Sequence, residues 1–394
     1  MRRQPHERES SGAARRFAPR PPALLSLLVF PGAIATVLVA GAEADRRTET
    51  PQEPVVRFVP LPPGQSGFAG ALPEIYVEGA IGDSTFTQLR QLVDEQGLTA
   101  ARVRFDSRGG DLLAAIEIGY YLREKEFVTE VAAFGGAWGR FVPGQCLSAC
   151  AVAYLGGKYR YLDPGARFAV HRFSTERAPG EDSPREVEAE TQALAALLVG
   201  YIRHAGVDVE FFDRMSARPH ADLDYLGMAD LRRMGVVNDG RMPPSWDLEI
   251  LEDEVVLAGR QERLANGAAV TLRCGEPVEI HVSSQHFDED WRDTVVVSAI
   301  HWTLGDERVP VDPRTSASSW SVQGGEFRAA LAVAPALAGR LPSAGELGLA
   351  VTASGRRYEY AVNVATAADR EKIRGFVEFC SRSGGTGRRP PTAG

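Results

Sequence analysis

Ser148 stands at the head of a run of small residues, Cys146-Leu147-Ser148-Ala149-Cys150-Ala151-Val152-Ala153-Tyr154-Leu155, closed by Gly156-Gly157. The run reads as a helix that starts near Ser148. A serine there lies beside backbone N–H groups that no earlier turn can satisfy, and at the positive end of the helix dipole. Both suit a developing oxyanion. A serine hydroxyl becomes a good nucleophile only when a base takes its proton. His171, on a strand read over Arg167 to Phe173, is the candidate base. Gly109-Gly110 close the segment Phe105-Asp106-Ser107-Arg108. Glycine suits a turn where a substrate backbone must approach closely or φ is unusual. Each feature also has a plain structural reading: a helix N-cap, a histidine satisfied within its strand, and a tight turn. Their order along one chain favours a site for acyl transfer.

The elements that must position these residues alternate between strand and helix. Glu74 to Gly79 alternates like a strand. Asp83 or Ser84 can cap a helix with Phe86, Leu89, Leu92 and Val93 on one face. A second strand covers Ala101 to Asp106. A second helix begins near Asp111, burying Leu112, Ala115, Ile116, Gly119 and Leu122. A third strand covers Phe127 to Phe134. A β-α-β-α-β order favours parallel pairing with helical crossovers. A Gly-rich loop is read from Gly135 to Gln145, and short strands at Tyr159 to Leu162 and from Arg167. Ser183-Pro184-Arg185-Glu186 has a capping serine, a first-turn proline and a glutamate three residues after the cap. The helix it opens stops near Gly206.

Arg241-Met242-Pro243-Pro244 marks a boundary. Beyond it come short strands at Val255 to Leu257, Val270 to Leu272, Val278 to Val282, Thr294 to Trp302 and Glu346 to Ala353, separated by turns. This pattern reads as a small β-sandwich. A terminal helix is expected over Ala367 to Phe379, followed by a disordered tail from Gly384.

Four cysteines are present: Cys146, Cys150, Cys274 and Cys380. There is no CxxC and no nearby histidine in sequence, so a zinc site is poorly supported and no metal is expected. In an oxidising compartment an even number points to two disulfides, and four cysteines allow three pairings. Cys146 and Cys150 bracket Ser148 at i and i+4, about 6 Å apart if the stretch is fully helical. A disulfide there would fix the serine turn and leave Cys274 to pair with Cys380; two small buried thiols are the alternative.

The order of features between residues 74 and 238 resembles the Clp protease proteolytic subunit, within the ClpP/crotonase superfamily. The resemblance rests on Phe105-Asp106-Ser107-Arg108-Gly109-Gly110, on Cys146 to Cys150, and on Tyr161-Leu162-Asp163-Pro164-Gly165-Ala166-Arg167-Phe168-Ala169-Val170-His171. It extends to Tyr225-Leu226 and Gly235-Val236-Val237. It implies Ser148 as nucleophile, His171 as base, the amides of Gly109 and Ala149 as oxyanion donors, and Gly110 as a shaper of the turn. The family's aspartate falls on Leu223 when counted back from Gly235 without gaps. A shift of one residue selects Asp222 or Asp224; otherwise both are exposed loop acids. Related membrane proteases use a Ser–Lys pair, but the only lysines in this region are Lys125 and Lys158, in segments that read as exposed ends.

Composition narrows the class. The 394 residues carry a net charge of -8; the first 42 hold six Arg against two Glu, so the remainder is at -12. An acidic body argues against a nucleic-acid surface. Met1 to Arg20 is basic, Ala23 to Ala40 is apolar, and small residues follow at Ala40, Ala42 and Ala44. That order is the pattern of a secretory signal, with an uncleaved signal anchor as the alternative. The expected organisation is a leader over 1–44, a linker over 45–72, an α/β ClpP/crotonase-like domain over 73–240, a β-sandwich-like domain over 246–366, and a terminal helix and tail over 367–394. The expected protein is an extracytoplasmic serine hydrolase acting on peptides without a cofactor, meeting the membrane only through its leader. A non-catalytic binding or scaffold protein is the alternative. A coenzyme A thioester enzyme is weakest, because that cofactor is cytoplasmic. The resembled family forms oligomers, but no interface is legible in the sequence.

Overall fold

The computed structural model describes residues 53–65, 71–173, 183–219, 221–264, 267–276, 278–284, 296–305, 307–311, 318–323, 326–333, 335–354 and 359–383. The leader and the C-terminal tail lie outside the described residues. Four strands form a parallel set in the order β2 (Glu74–Glu78), β3 (Arg102–Asp106), β4 (Val128–Ala137) and β7 (Tyr159–Leu162). Helices α1 (Asp83–Glu95) and α2 (Leu112–Glu124) supply the crossovers between the first three strands. The Asp111 side chain accepts from Ala114 N–H at 2.7 Å and caps α2, whose buried face includes Ala115, Ile116, Gly119 and Leu122.

Two stretches read as irregular are strands. β1 (Val55–Val59) lies inside the expected linker and pairs antiparallel with β2. Its Val-Val-Arg-Phe-Val run has strong β propensity, which the surrounding Pro and Gly obscured. The Gly-rich loop contains β5 (Arg140–Pro143), folded back on β4, and β6 (Gln145–Leu147). β6 pairs in parallel with β8 (Arg167–Val170), which pairs antiparallel with β9 (Asp224–Tyr225).

α3 (Ala149–Tyr154) is buried along its whole length. Its far end is set by backbone contact: a Cβ on Gly156 would lie 2.3 Å from Gly119 O. α4 (Pro184–His204) has the expected capping box, with the Ser183 and Glu186 side chains each accepting from the other residue's backbone N–H. α5 (Glu210–Ala217) was not legible from the sequence, and α6 (Met228–Arg233) follows β9. The opposite face of the parallel sheet carries charge. Arg104 bridges Glu74 at 2.7 Å and Glu130 at 2.8 Å, and Tyr76 Oη donates to Glu74. Burial pushes the Tyr76 hydroxyl up to about 12.

A separate hydrophobic core begins at Trp246. A six-stranded antiparallel sheet runs β10 (Ser245–Leu251), β11 (Glu254–Gln261), β12 (Ala268–Arg273), β13 (Glu279–Ser284), β17 (Glu326–Ala332) and β16 (Ser318–Gln323). A four-stranded sheet runs β15 (Glu307–Pro310), β14 (Val296–Leu304), β18 (Glu346–Ser354) and β19 (Glu359–Ala365). The terminal helix α7 covers Arg370–Arg382, three residues later than its pattern indicated at each end. It buries Ile373, Phe376 and Cys380 against this core.

Candidate active site

Strand ends converge on Ser148. Beyond β3, Ser107 forms a parallel bridge with Cys146: Ser107 N–H donates to Gln145 O at 2.7 Å, and Leu147 N–H to Ser107 O at 3.0 Å. On the other side of β6, Leu147 lies opposite Ala169, and Ser148 N–H donates to Ala169 O at 2.9 Å. One strand further, Val170 lies opposite Asp224. Adjacent segments therefore carry Gly109-Gly110, Ser148, His171 and Asp224 in spatial order.

The helix does not extend through the cysteine pair. Cys146 lies on β6, Ser148 is the turn residue, and α3 starts at Ala149. Ser148 has φ 57° and ψ −125°, a conformation that glycine adopts easily and a side chain resists. Such a residue stores about 1–3 kcal/mol of strain, held by its surroundings. The Cys146–Cys150 disulfide joins the strand to the helix across this turn, with Cα atoms 5.2 Å apart. Cys274 and Cys380 form the second disulfide. Ser148 makes no side-chain cap bond, so the N-cap reading of its hydroxyl does not hold.

Gly109 and Gly110 have φ of 110° and 147°. A Cβ on Gly109 would lie 2.8 Å from Ser148 Cβ, and one on Gly110 would lie 2.2 Å from Ile81 O. Both positions demand glycine. The Gly109 amide, expected as an oxyanion donor, instead donates to Ser107 Oγ at 3.1 Å. Ile81 N–H donates to Gly109 O and Asp111 N–H to Ile81 O, so the Gly110 amide between them faces away from Ile81. Ala149, first in its helix, has no carbonyl four residues back within that helix to accept its amide.

His171 is buried, with Nδ1 2.9 Å from Arg172 O. A carbonyl oxygen only accepts, so Nδ1 donates in this contact, which in the neutral ring leaves the lone pair on Nε2. The two candidate acids differ sharply. The Asp222 side chain is 57% exposed and pairs with Arg218 at 3.1 Å. The Asp224 side chain is 13% exposed and accepts from Arg214 Nε at 2.7 Å. That hydrogen bond is the main reason the Arg214 guanidinium is raised above its ordinary range. Ser107 and Arg214 are thus parts of the site that sequence reasoning missed. Ser107 could have been found as the hydroxyl two residues before Gly109; Arg214 lies on α5, which was not recognised.

Lys158 is not an exposed end: its ammonium sits between Glu126 at 2.9 Å and Glu262 at 2.7 Å. Two carboxylates hold it charged, which does not suit a base. Among the described residues no three His, Cys, Asp or Glu cluster as metal ligands, and no helix is long and apolar enough to cross a membrane.

No family model matches the chain, and neither does any curated protein. Partial likenesses exist among solved structures. One is a mutant of the membrane-bound stomatin-specific protease 1510-N, with TM-score 0.32 and 15% identity over 41% of this chain and 75% of that one. A second mutant of that protease, in complex with a substrate peptide, has TM-score 0.31 and 16% identity over 42% and 71%. ClpP1 from Listeria monocytogenes has TM-score 0.30 and 17% identity over 42% and 88%.

Proposed function

We propose that this protein is an exported serine hydrolase that cleaves peptides, with Ser148 as nucleophile and His171 as base. The observation that carries the reading is Ser148 itself: a non-glycine residue with φ 57° at the mouth of a buried helix, one strand from a histidine whose Nδ1 faces the Arg172 carbonyl. Ser148 Oγ attacks the acyl carbon and passes its proton to His171 Nε2. His171 returns that proton to the leaving amine, and water then releases the acyl group by the same route in reverse. The Ala149 amide and the Gly110 amide stabilise the oxyanion; Gly110 takes the donor role first assigned to Gly109. Asp224, rather than Asp222, is the acid beside His171, and Arg214 fixes its carboxylate. The leader directs the protein to the periplasm or cell envelope.

Two observations favour the scaffold reading instead: the Gly109 amide is consumed by Ser107, and Asp224 is held by Arg214. Labelling of the purified chain with a fluorophosphonate probe separates the two readings. The hydrolase reading expects labelling that disappears in Ser148→Ala and falls at least 100-fold in His171→Ala. Labelling that never occurs, or that survives Ser148→Ala, leaves the scaffold.

A further inference from the structure

The hairpin β10–β11 carries an open edge that the hydrolase reading does not use. β10 is the first strand of its sheet and, among the described residues, pairs only with β11. Leu248 is 65% exposed, Ile250 69% and Leu251 47%, three exposed apolar residues within four positions. Trp246 shares the side of Leu248 and Ile250 but is fully buried, and Leu251 lies on the other face. The apolar row begun by Trp246 therefore runs past the end of the core into solvent.

The backbone of that row also points outward. In an antiparallel strand, alternate residues turn both N–H and C=O to the same edge. Trp246 O accepts from Lys372 Nζ at 2.7 Å, on the side away from β11. The hairpin agrees: Glu252 and Asp253 form the turn with φ of 50° and 69°, so the flanking pair Leu251–Glu254 is the hydrogen-bonded one. Leu248 and Ile250 then present their N–H and C=O groups to the open edge, together with their exposed side chains. Natural edges are shielded by proline, lysine or bulges; β10 contains none of these, and Lys372 reaches it at Trp246 and Asp247 rather than at Leu248 to Leu251.

The charge around the row says what fits there. Asp247, Glu249, Glu252 and Asp253 surround it; Glu249 pairs with Arg260, and Arg273 reaches Glu252 only at 3.9 Å. A second copy does not fit, because antiparallel pairing about Leu248 would set Asp247 opposite Glu249, and about Glu249 would set two Glu249 together. Insertion into lipid does not fit either, because the acidic turn would enter first. We propose that β10 docks an extended segment of another polypeptide as an added strand, one that alternates apolar with basic residues. Main-chain bonds to Leu248 and Ile250 supply the pairing, and the surrounding acids select for Lys and Arg.

The test uses the full chain carrying Ser148→Ala, so that no probe is cleaved. Fluorescence anisotropy compares a ten-residue peptide of alternating Val and Lys with its Val and Glu counterpart. The Val–Lys peptide is expected to bind at least tenfold more tightly, and to lose at least tenfold with Ile250→Pro. That substitution removes an outward N–H but no bond to β11. The milder pair Leu248→Thr with Ile250→Thr is expected to act the same way. Hydrogen exchange on the chain without hairpin substitutions, expected to slow at residues 248–250 when peptide is added, decides the matter even if those variants misfold. No binding of the Val–Lys peptide, equal binding of both peptides, or protection confined to other strands would overturn the proposal. So would self-association that Ile250→Pro abolishes, or binding to anionic vesicles that the threonine pair abolishes.

Discussion

The two disulfides use the same bond for opposite ends. Cys146–Cys150 spans four residues and encloses Ser148; Cys274–Cys380 spans 106 residues and ties α7 to the strands of the second core. In the chain-entropy account, a loop of about 100 residues restricts the unfolded chain by about 4–5 kcal/mol, and a loop of about five by only about 2. The long bridge is a device of global stability. The short one adds little there, but it closes across a residue held in a conformation that its side chain resists. A local bond placed on a strained turn acts on geometry first.

This contrast breaks in a definite way if it is wrong. Replacing both Cys274 and Cys380 by Ser is expected to cost about 4–5 kcal/mol, lowering Tm by about 10 °C in calorimetry, with fluorophosphonate labelling unchanged. Replacing Cys146 and Cys150 by Ser should do the reverse. Labelling should slow by about 100-fold, while Tm falls by only a few degrees, since a misplacement of about 1 Å is enough to cost that much reactivity. Equal loss of labelling in both double variants would remove the distinction. The smallest effect sharpens it. Ser148→Gly and Ser148→Ala both lack the hydroxyl, but glycine accepts the positive φ. Chemical denaturation should find the glycine variant more stable by about 1–2 kcal/mol.

Much of the local structure around Ser148 was legible because it depends on near neighbours. The Gly-Gly turn, the small-residue helix behind Ser148, the strand before His171 and the capping box at Ser183 each follow from a few neighbouring residues. The cysteine pairing was expected on a helical spacing, with two free thiols as the alternative; the bridge forms instead across a strand-to-helix turn. What escaped depends on distant contacts. β1 and β5 are strands because β2 and β4 offer them an edge, and nothing in their Pro- and Gly-rich surroundings announces it. The difference in setting between Asp222 and Asp224 comes from pairing with β8 and from Arg214, which lies on a helix too short to declare itself. The Gly109 amide was misassigned because a glycine's sequence position does not say which way its N–H points. In the second core the regular alternation of β12 and β13 was readable, whereas the edge strands β10 and β15 carry too few buried positions to stand out.

The backbone contact between Gly156 and Gly119 has a consequence for how variation in this chain should be interpreted. α3 is short and is fixed at one end by the disulfide and Gly109, and at the other by a glycine laid against a neighbouring helix with no room for a methyl group. A side chain at Gly156 touches none of the groups around Ser148, yet it would force α3 and α2 apart, and one at Gly119 would displace the Tyr201 hydroxyl that donates to Val152 O on α3. In an inherited or selected variant, such a change would look like a change at Ser148 while altering only the seat of the helix behind it.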